Sequence, residues 1–206
     1  HVAHAYLFTG TRGTGKTSTA KIFAKALNCD APIAGEPCGE CPSCRIAETG
    51  GVDIIELDAA SNTGVEDVRA LIDKARFAPL DLRVKVYIID EAHMLSKSAF
   101  NALLKTLEEP PAHVVFILAT TEPQSIPATI VSRCQRFDFH RLRVEDIVSC
   151  MESVLKSAGA SIAPEGMVAI ARAAEGGMRD ALSLADQCIS FCGGNVAAED
   201  VYGVLG

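Results

Sequence analysis

Residues 10–17 constrain this chain more than any other segment: Gly10-Thr11-Arg12-Gly13-Thr14-Gly15-Lys16-Thr17 matches G-x-x-x-x-G-K-[ST] in full. The apolar run Ala5-Tyr6-Leu7-Phe8-Thr9 precedes it, and a helical pattern from Lys16 to Leu27 follows. A strand, a glycine turn and a helix in that order build an anion site. The glycines let successive backbone N–H groups face phosphate oxygens, and the helix N-terminus favours negative charge. Lys16 supplies a point charge for the β and γ phosphates, and the Thr17 hydroxyl is offered to Mg²⁺. Gly10, Thr11, Arg12, Gly13, Thr14, Gly15, Lys16, Thr17 and Ser18 are therefore the candidate nucleotide-binding residues.

The pattern around this loop predicts an α/β fold. Asp53–Asp58, Lys85–Asp90 and Val114–Ala119 read as further strands, with a weaker fifth at Arg136–Phe139. Thr63-x-x-Glu66 reads as a capping box ahead of Val65, Val68, Leu71, Ile72 and Ala75 at helical spacing. Ser96 reads as the cap of a helix that stops at Pro110-Pro111. Apolar strands alternating with helices imply a doubly wound, mainly parallel five-stranded sheet. From about Leu142 the strand signals stop. Helical patterns separated by Ala158-Gly159, Gly176-Gly177 and Gly193-Gly194 predict a small all-helical domain. The expected domains are 1–142, with an insertion at 29–44, and 143–206.

Asp90-Glu91 closes the Lys85–Asp90 strand. A carboxylate at the C-terminal edge of a parallel strand faces the crevice where such sheets bind ligands. Asp90 is expected to hold Mg²⁺ through its water shell, with Thr17 as the other contributor. Glu91 is expected to orient and deprotonate the water that attacks the γ phosphate. His93 reads as a helix-start or supporting residue. A strand, a helix and another strand separate the two motifs, which suits the phosphate-loop class with an extra strand between those two in the sheet.

Cys29-x8-Cys38-x2-Cys41-x2-Cys44 follows the first helix. Four thiolates suffice for a closed tetrahedral Zn²⁺ site, which leaves no position for water and is therefore structural. A redox C-x-x-C pair is the alternative, but it does not usually bring two further cysteines. Cys134, Cys150, Cys188 and Cys192 lie in apolar segments and read as core residues. This layout points to a reducing, cytoplasmic setting rather than a disulfide framework.

Composition narrows the classes further. With 49% hydrophobic and 22% charged residues the chain should pack a core rather than stay disordered. It contains no apolar run long enough to span a bilayer. A net charge of −7 argues against a surface that coats nucleic acid, though not against a local phosphate site.

Several segments beyond these resemble AAA+ proteins, and within them the ATPase subunits (gamma/tau) of bacterial DNA polymerase III clamp loaders. They are His4–Phe8 running into the glycine loop, the four-cysteine insertion, Asp58-Ala59-Ala60-Ser61 and Phe100–Pro111. Ala119-Thr120-Thr121, Ser132-Arg133-Cys134 and Gly177–Leu182 continue the match. The resemblance implies that Thr121 is the sensor of the γ phosphate. It implies that Arg133 is an arginine finger acting on ATP of the neighbouring subunit, and that Arg179 reaches the nucleotide of its own chain. From spacing alone, Thr121 would simply end a strand and the two arginines would be solvated helix-start residues.

The implied activity is Mg-dependent ATP hydrolysis that opens a sliding clamp and loads it on primer-template DNA, within a hetero-oligomeric ring of loader subunits. The chain would be a component of the polymerase assembly and not itself a polymerase. The rival readings are a non-catalytic stator of the same fold and another AAA+ machine such as a branch-migration helicase. Two family features are expected to lie outside this chain, the segment that encloses the adenine and the C-terminal collar. The DNA-facing turn near Asn62-Thr63-Gly64 carries no charge here, so a strong electrostatic contribution from it is not expected.

Overall fold

The computed structural model describes residues 2–62 and 64–206. By its internal packing the chain divides into two units, 1–10 with 16–138, and 11–15 with 139–206.

The first unit holds β1 (Ala5–Gly10), α1 (Lys16–Asn28), α2 (Pro42–Glu48), β2 (Ile54–Asp58) and α3 (Val65–Ala75). It continues with β3 (Lys85–Asp90), α4 (Lys97–Glu108), β4 (Val114–Thr120), α5 (Ala128–Val131) and β5 (Gln135–Phe139). The five strands lie in the order β2-β3-β4-β1-β5, and the β1–β4, β3–β4 and β2–β3 pairs are parallel. β4 thus separates the loop strand β1 from the acidic strand β3. All seven β4 residues are buried, as a central strand covered on both faces requires.

Alternation assigns the two faces. Leu7, Tyr87, Ile89, Phe116 and Leu118 join Val68 and Leu71 of α3 and Phe100, Leu103 and Leu107 of α4 in one core. The Tyr87 and Phe116 rings stack across β3 and β4 with centroids 5.4 Å apart. On the opposite face Tyr6 meets Phe23 of α1 edge-on at 4.8 Å. β5 is largely exposed, which explains its weak sequence signal, and the Thr9 hydroxyl donates to its Asp138 carboxylate.

Asp53 lies just before β2 and is 1% exposed. Its carboxylate accepts the backbone N–H groups of Leu80, Asp81 and Leu82 at 2.7–3.0 Å, pinning the loop that leads into β3. Burial alone would raise its pKa. The three N–H bonds outweigh burial, with Lys85 helping, and hold it below the ordinary carboxylate value.

The second unit contains α6 (Val144–Ala158), α7 (Pro164–Ala173), α8 (Met178–Cys192) and α9 (Ala198–Leu205). Ile147, Met151 and Leu155 of α6, Ile170 of α7, Ala181, Ala185 and Cys188 of α8 and Val201 of α9 form its core. The unit is not purely helical. Ser161–Ile162 (β6) and Asn195–Val196 (β7) form a parallel ribbon. The Ser161 N–H bonds to the Gly194 carbonyl and the Ala163 N–H to that of Val196. Two-residue strands carry no readable periodicity, so only the meeting of the two connections creates them.

Two other expectations are corrected. α3 begins one residue later than the capping-box pattern implied, with Gly64 as its N-cap and Asp67 at the third helical position. Thr63 of that pattern lies outside the described residues. Of the four cysteines expected in the core, Cys188 is buried and Cys134 half-buried, but Cys150 and Cys192 are exposed. Cys150 flanks the Ile147-Met151-Leu155 stripe of α6, and Cys192 is the last residue of α8.

Candidate functional site

The loop after β1 has the backbone that its glycines permit. Gly13 and Gly15 have φ of +79° and +92°, conformations that side-chain-bearing residues rarely adopt. The Thr14 hydroxyl closes the turn by donating to the Thr11 carbonyl at 2.8 Å. Lys16, the first residue of α1, is 7% exposed, and its ammonium donates to the Gly10 carbonyl at 2.9 Å. The cation is thus held over the loop, where a polyphosphate would lie.

Thr17 follows, and its hydroxyl donates to Asp90 Oδ2 at 2.7 Å. This bond joins the start of α1 to the tip of β3, across the sheet position that β4 occupies. A hydroxyl and a carboxylate side by side are hard oxygen donors, the set that suits Mg²⁺. The other carboxylate oxygen of Asp90 accepts the Glu91 N–H at 2.9 Å. Glu91 has φ 48° and ψ 44°, a left-handed conformation that costs an ordinary side chain about 1–2 kcal/mol. Such strain tends to persist at functional positions. Here it turns the chain off the strand, and Glu91 Oε2 accepts from the Thr121 hydroxyl at 3.3 Å.

Thr121 directly follows β4, beside Thr120 at its end. His93 lies in the single 3-10 turn after β3, with Nδ1 3.0 Å from Thr120 Oγ1 and 3.5 Å from Glu91 Oε2. The structure therefore brings Thr17, Asp90, Glu91 and Thr121 into one linked group, with His93, read from the sequence as a helix-start or supporting residue, beside it, and adds Thr120. Thr120 carries no spacing signal of its own.

The two arginines have the following local surroundings. Arg133 follows α5, and its guanidinium donates to Glu108 Oε1 and to the Thr129 carbonyl, both at 2.7 Å. Arg179 is exposed in the first turn of α8, and its backbone carbonyl accepts from the Ser183 hydroxyl at 2.9 Å. The turn at 60–62 is organised by Asp58. Its carboxylate accepts from the Ser61 hydroxyl and the Ala60 N–H, which hold its pKa low. That carboxylate adds negative charge to a turn that carries no basic residue.

The cysteine insertion forms a second site. The sulfurs of Cys29, Cys38, Cys41 and Cys44 all lie within 4.8 Å of one another, and Cys38 and Cys44 are 4.0 Å apart. A tetrahedral zinc with bonds of about 2.3 Å separates its sulfurs by roughly 3.8 Å, so a small contraction completes the site. Two N–H groups point at sulfur, from Cys38 to Cys29 and from Cys44 to Cys41. The Cys38 N–H lowers the Cys29 pKa, as a ligand thiolate needs. Burial and the neighbouring thiols push Cys44 up to about 12, a crowding that a bound cation would relieve.

Comparison with known proteins adds to this geometry. Residues 1–143 match the family model described as DNA polymerase III, delta subunit. Residues 146–194 match that of the DNA polymerase III clamp loader subunit, ATPase lid domain. The chain is 57% identical to DNA polymerase III subunit tau of Bacillus subtilis, with 99% of the chain and 36% of the relative covered. It is 54% identical to the Escherichia coli subunit of the same name, with 100% and 32% covered. The chain thus spans about a third of the length of these relatives. A Thermotoga maritima RuvB structure superposes with a TM-score of 0.71 over 99% of this chain and 61% of that one. A gamma subunit-related protein from the same organism gives 0.55 over 71% and 45%. At 16% and 23% identity, these two likenesses speak for the fold alone.

Proposed function

Because the chain belongs to the gamma/tau family of DNA polymerase III clamp-loader subunits, whose AAA+ architecture implies ATPase activity, we propose that it is an Mg-dependent ATP-hydrolysing motor of the replicative clamp loader. The observation that carries the proposal is the Thr17–Asp90 hydrogen bond, with Lys16 before it and Glu91 after it.

In this reading residues 10–18 cradle the triphosphate, with Lys16 against the β and γ phosphates. Thr17 and Asp90 hold the Mg²⁺, which neutralises charge building up on the phosphate oxygens. Glu91 takes the proton of the attacking water, and Thr121 orients that water and reports the γ phosphate. Arg133 serves the site of the neighbouring subunit, and Arg179 serves its own. Cys29, Cys38, Cys41 and Cys44 hold a structural zinc. ATP binding opens the sliding clamp for loading at primer-template DNA, and hydrolysis releases both. The partners are the other loader subunits in a ring, the clamp and the DNA, in the cytoplasm. No described helix is long and apolar enough to cross a membrane.

The test assembles the full-length protein with its loader subunits, clamp and primed DNA, and follows ATP turnover and clamp loading. The wild type should do both, and Lys16→Ala should abolish both. Unchanged turnover in the Lys16→Ala loader would favour the stator reading. The isolated chain should bind Mg-nucleotide yet turn over slowly, since it has no neighbour's arginine. Full turnover by a monomer would refute the trans role of Arg133.

A further inference from the structure

Arg133 has a long side chain, and holding it in one pose costs up to about 2 kcal/mol of rotamer freedom. Its guanidinium is nevertheless anchored at both ends. Nη1 donates to the Thr129 carbonyl at 2.7 Å and to the Ser132 hydroxyl at 3.4 Å, and Nη2 donates to Glu108 Oε1 at 2.7 Å. The first two partners belong to α5 or the residue after it, so they move with the arginine. Glu108 does not. It is the last residue of α4, 25 positions earlier, and α4 is seated in the core through Phe100, Leu103 and Leu107. Among the described residues the Glu108 carboxylate is the anchor that comes from outside the 128–133 segment, and it ties the guanidinium to α4.

The side chains of Arg133 and Glu108 are 33% and 51% exposed. An ion pair this open contributes little to fold stability, at most about 1 kcal/mol. Its effect must therefore be geometric. A guanidinium carries five N–H donors in a rigid plane. Three contacts among the described residues fix that plane and leave donors for a phosphoryl group.

We infer that Glu108 is a positioning residue for Arg133, holding its guanidinium at the angle from which it meets the nucleotide of a neighbouring subunit. The inference rests on the trans role proposed for Arg133, and Glu108 itself touches no reacting atom.

The test uses full-length protein in the assembled loader with clamp and primed DNA. Glu108→Gln keeps the shape and removes the charge. It should lower the kcat of ATP hydrolysis about 10- to 100-fold, the scale of a misplaced catalytic group, while KM for ATP stays unchanged. Arg133→Ala should cost more. Glu108→Gln added to Arg133→Ala should cost nothing further, because the group it aims is gone. Nucleotide affinity and melting temperature of the isolated chain should not move. An unchanged or raised kcat in Glu108→Gln overturns the inference. So does an equal loss in the Arg133→Ala background, or a fall in melting temperature that accounts for the lost activity. If Arg133→Ala alone has no effect, the trans reading itself fails, and the two failures are told apart by that single variant.

Discussion

The strand-tip site and the cysteine insertion lie in the same unit but are held together by different forces. Thr17, Asp90, Glu91 and Thr121 sit at the ends of α1, β3 and β4, elements whose positions the apolar core dictates. Residues 31–36 of the insertion are all exposed, and of the insertion's four cysteines only Cys29 and Cys44 are buried. A segment with so little apolar burial needs another source of order, and the structural zinc proposed for its four converging thiols would be that source. The difference teaches that a chemical site can be a by-product of a core, or can replace one.

The comparison predicts that the two sites fail independently. The largest effect should come from the metal. A structural zinc contributes about 10–16 kcal/mol to the segment that it orders. Metal analysis should find one zinc per chain, and Cys41→Ser should abolish it and open residues 30–43 to hydrogen exchange, yet leave nucleotide affinity intact. Loss of nucleotide binding on zinc removal would break the distinction.

Next in size, Glu91→Gln should lower ATP turnover in the assembled loader about 10²–10⁴-fold, the usual contribution of a general base. Zinc content and melting temperature should stay the same, because the left-handed backbone at Glu91 is equally open to glutamine.

Asp53→Ala sharpens the comparison from the side of the core. It strands three buried or half-buried N–H groups and should cost about 2–4 kcal/mol, read from denaturant unfolding. Its pH dependence has a definite sign. The folded pKa is depressed, so the stabilisation is complete above the ordinary carboxylate pKa and is lost as pH falls through that value towards the folded one. The gap between wild type and Asp53→Ala should therefore narrow in acid and stay constant near neutrality. A gap that widens in acid would contradict the assignment. Smallest of all, Cys150→Ser on the exposed flank of α6 should change stability by less than about 0.5 kcal/mol.

Local signals were the legible ones. The strand Lys85–Asp90, the Ser96 cap and the glycine loop depend on neighbours a few residues away. The Ser96 hydroxyl indeed accepts the Ala99 N–H at 3.2 Å. The cysteine cluster was legible for another reason, since its four sulfurs span only 16 positions and the prolines and glycines between them limit the path. What escaped were contacts between residues far apart in the chain. Asp53 meets residues 27–29 positions later, Glu108 meets Arg133 25 positions later, and His93 meets Thr120 27 positions later. No periodicity encodes such meetings.

The amino-acid sequence alone determined the order of the five main strands and their connecting helices, the residue types at the phosphate loop and the thiol count of the insertion. These follow from hydrophobic period, glycine's access to positive φ and ligand chemistry, each of which acts within a short stretch of chain. The motifs already paired Asp90 with Thr17, but only the tertiary structure decided which partners Asp53 and Glu108 serve. Asp90 meets Thr17, Asp53 meets a loop and Glu108 meets an arginine because parallel strands and the helices between them bring distant segments to one edge of the sheet. A carboxylate carries the same charge in all three places, and its surroundings in the packed chain give each one its role.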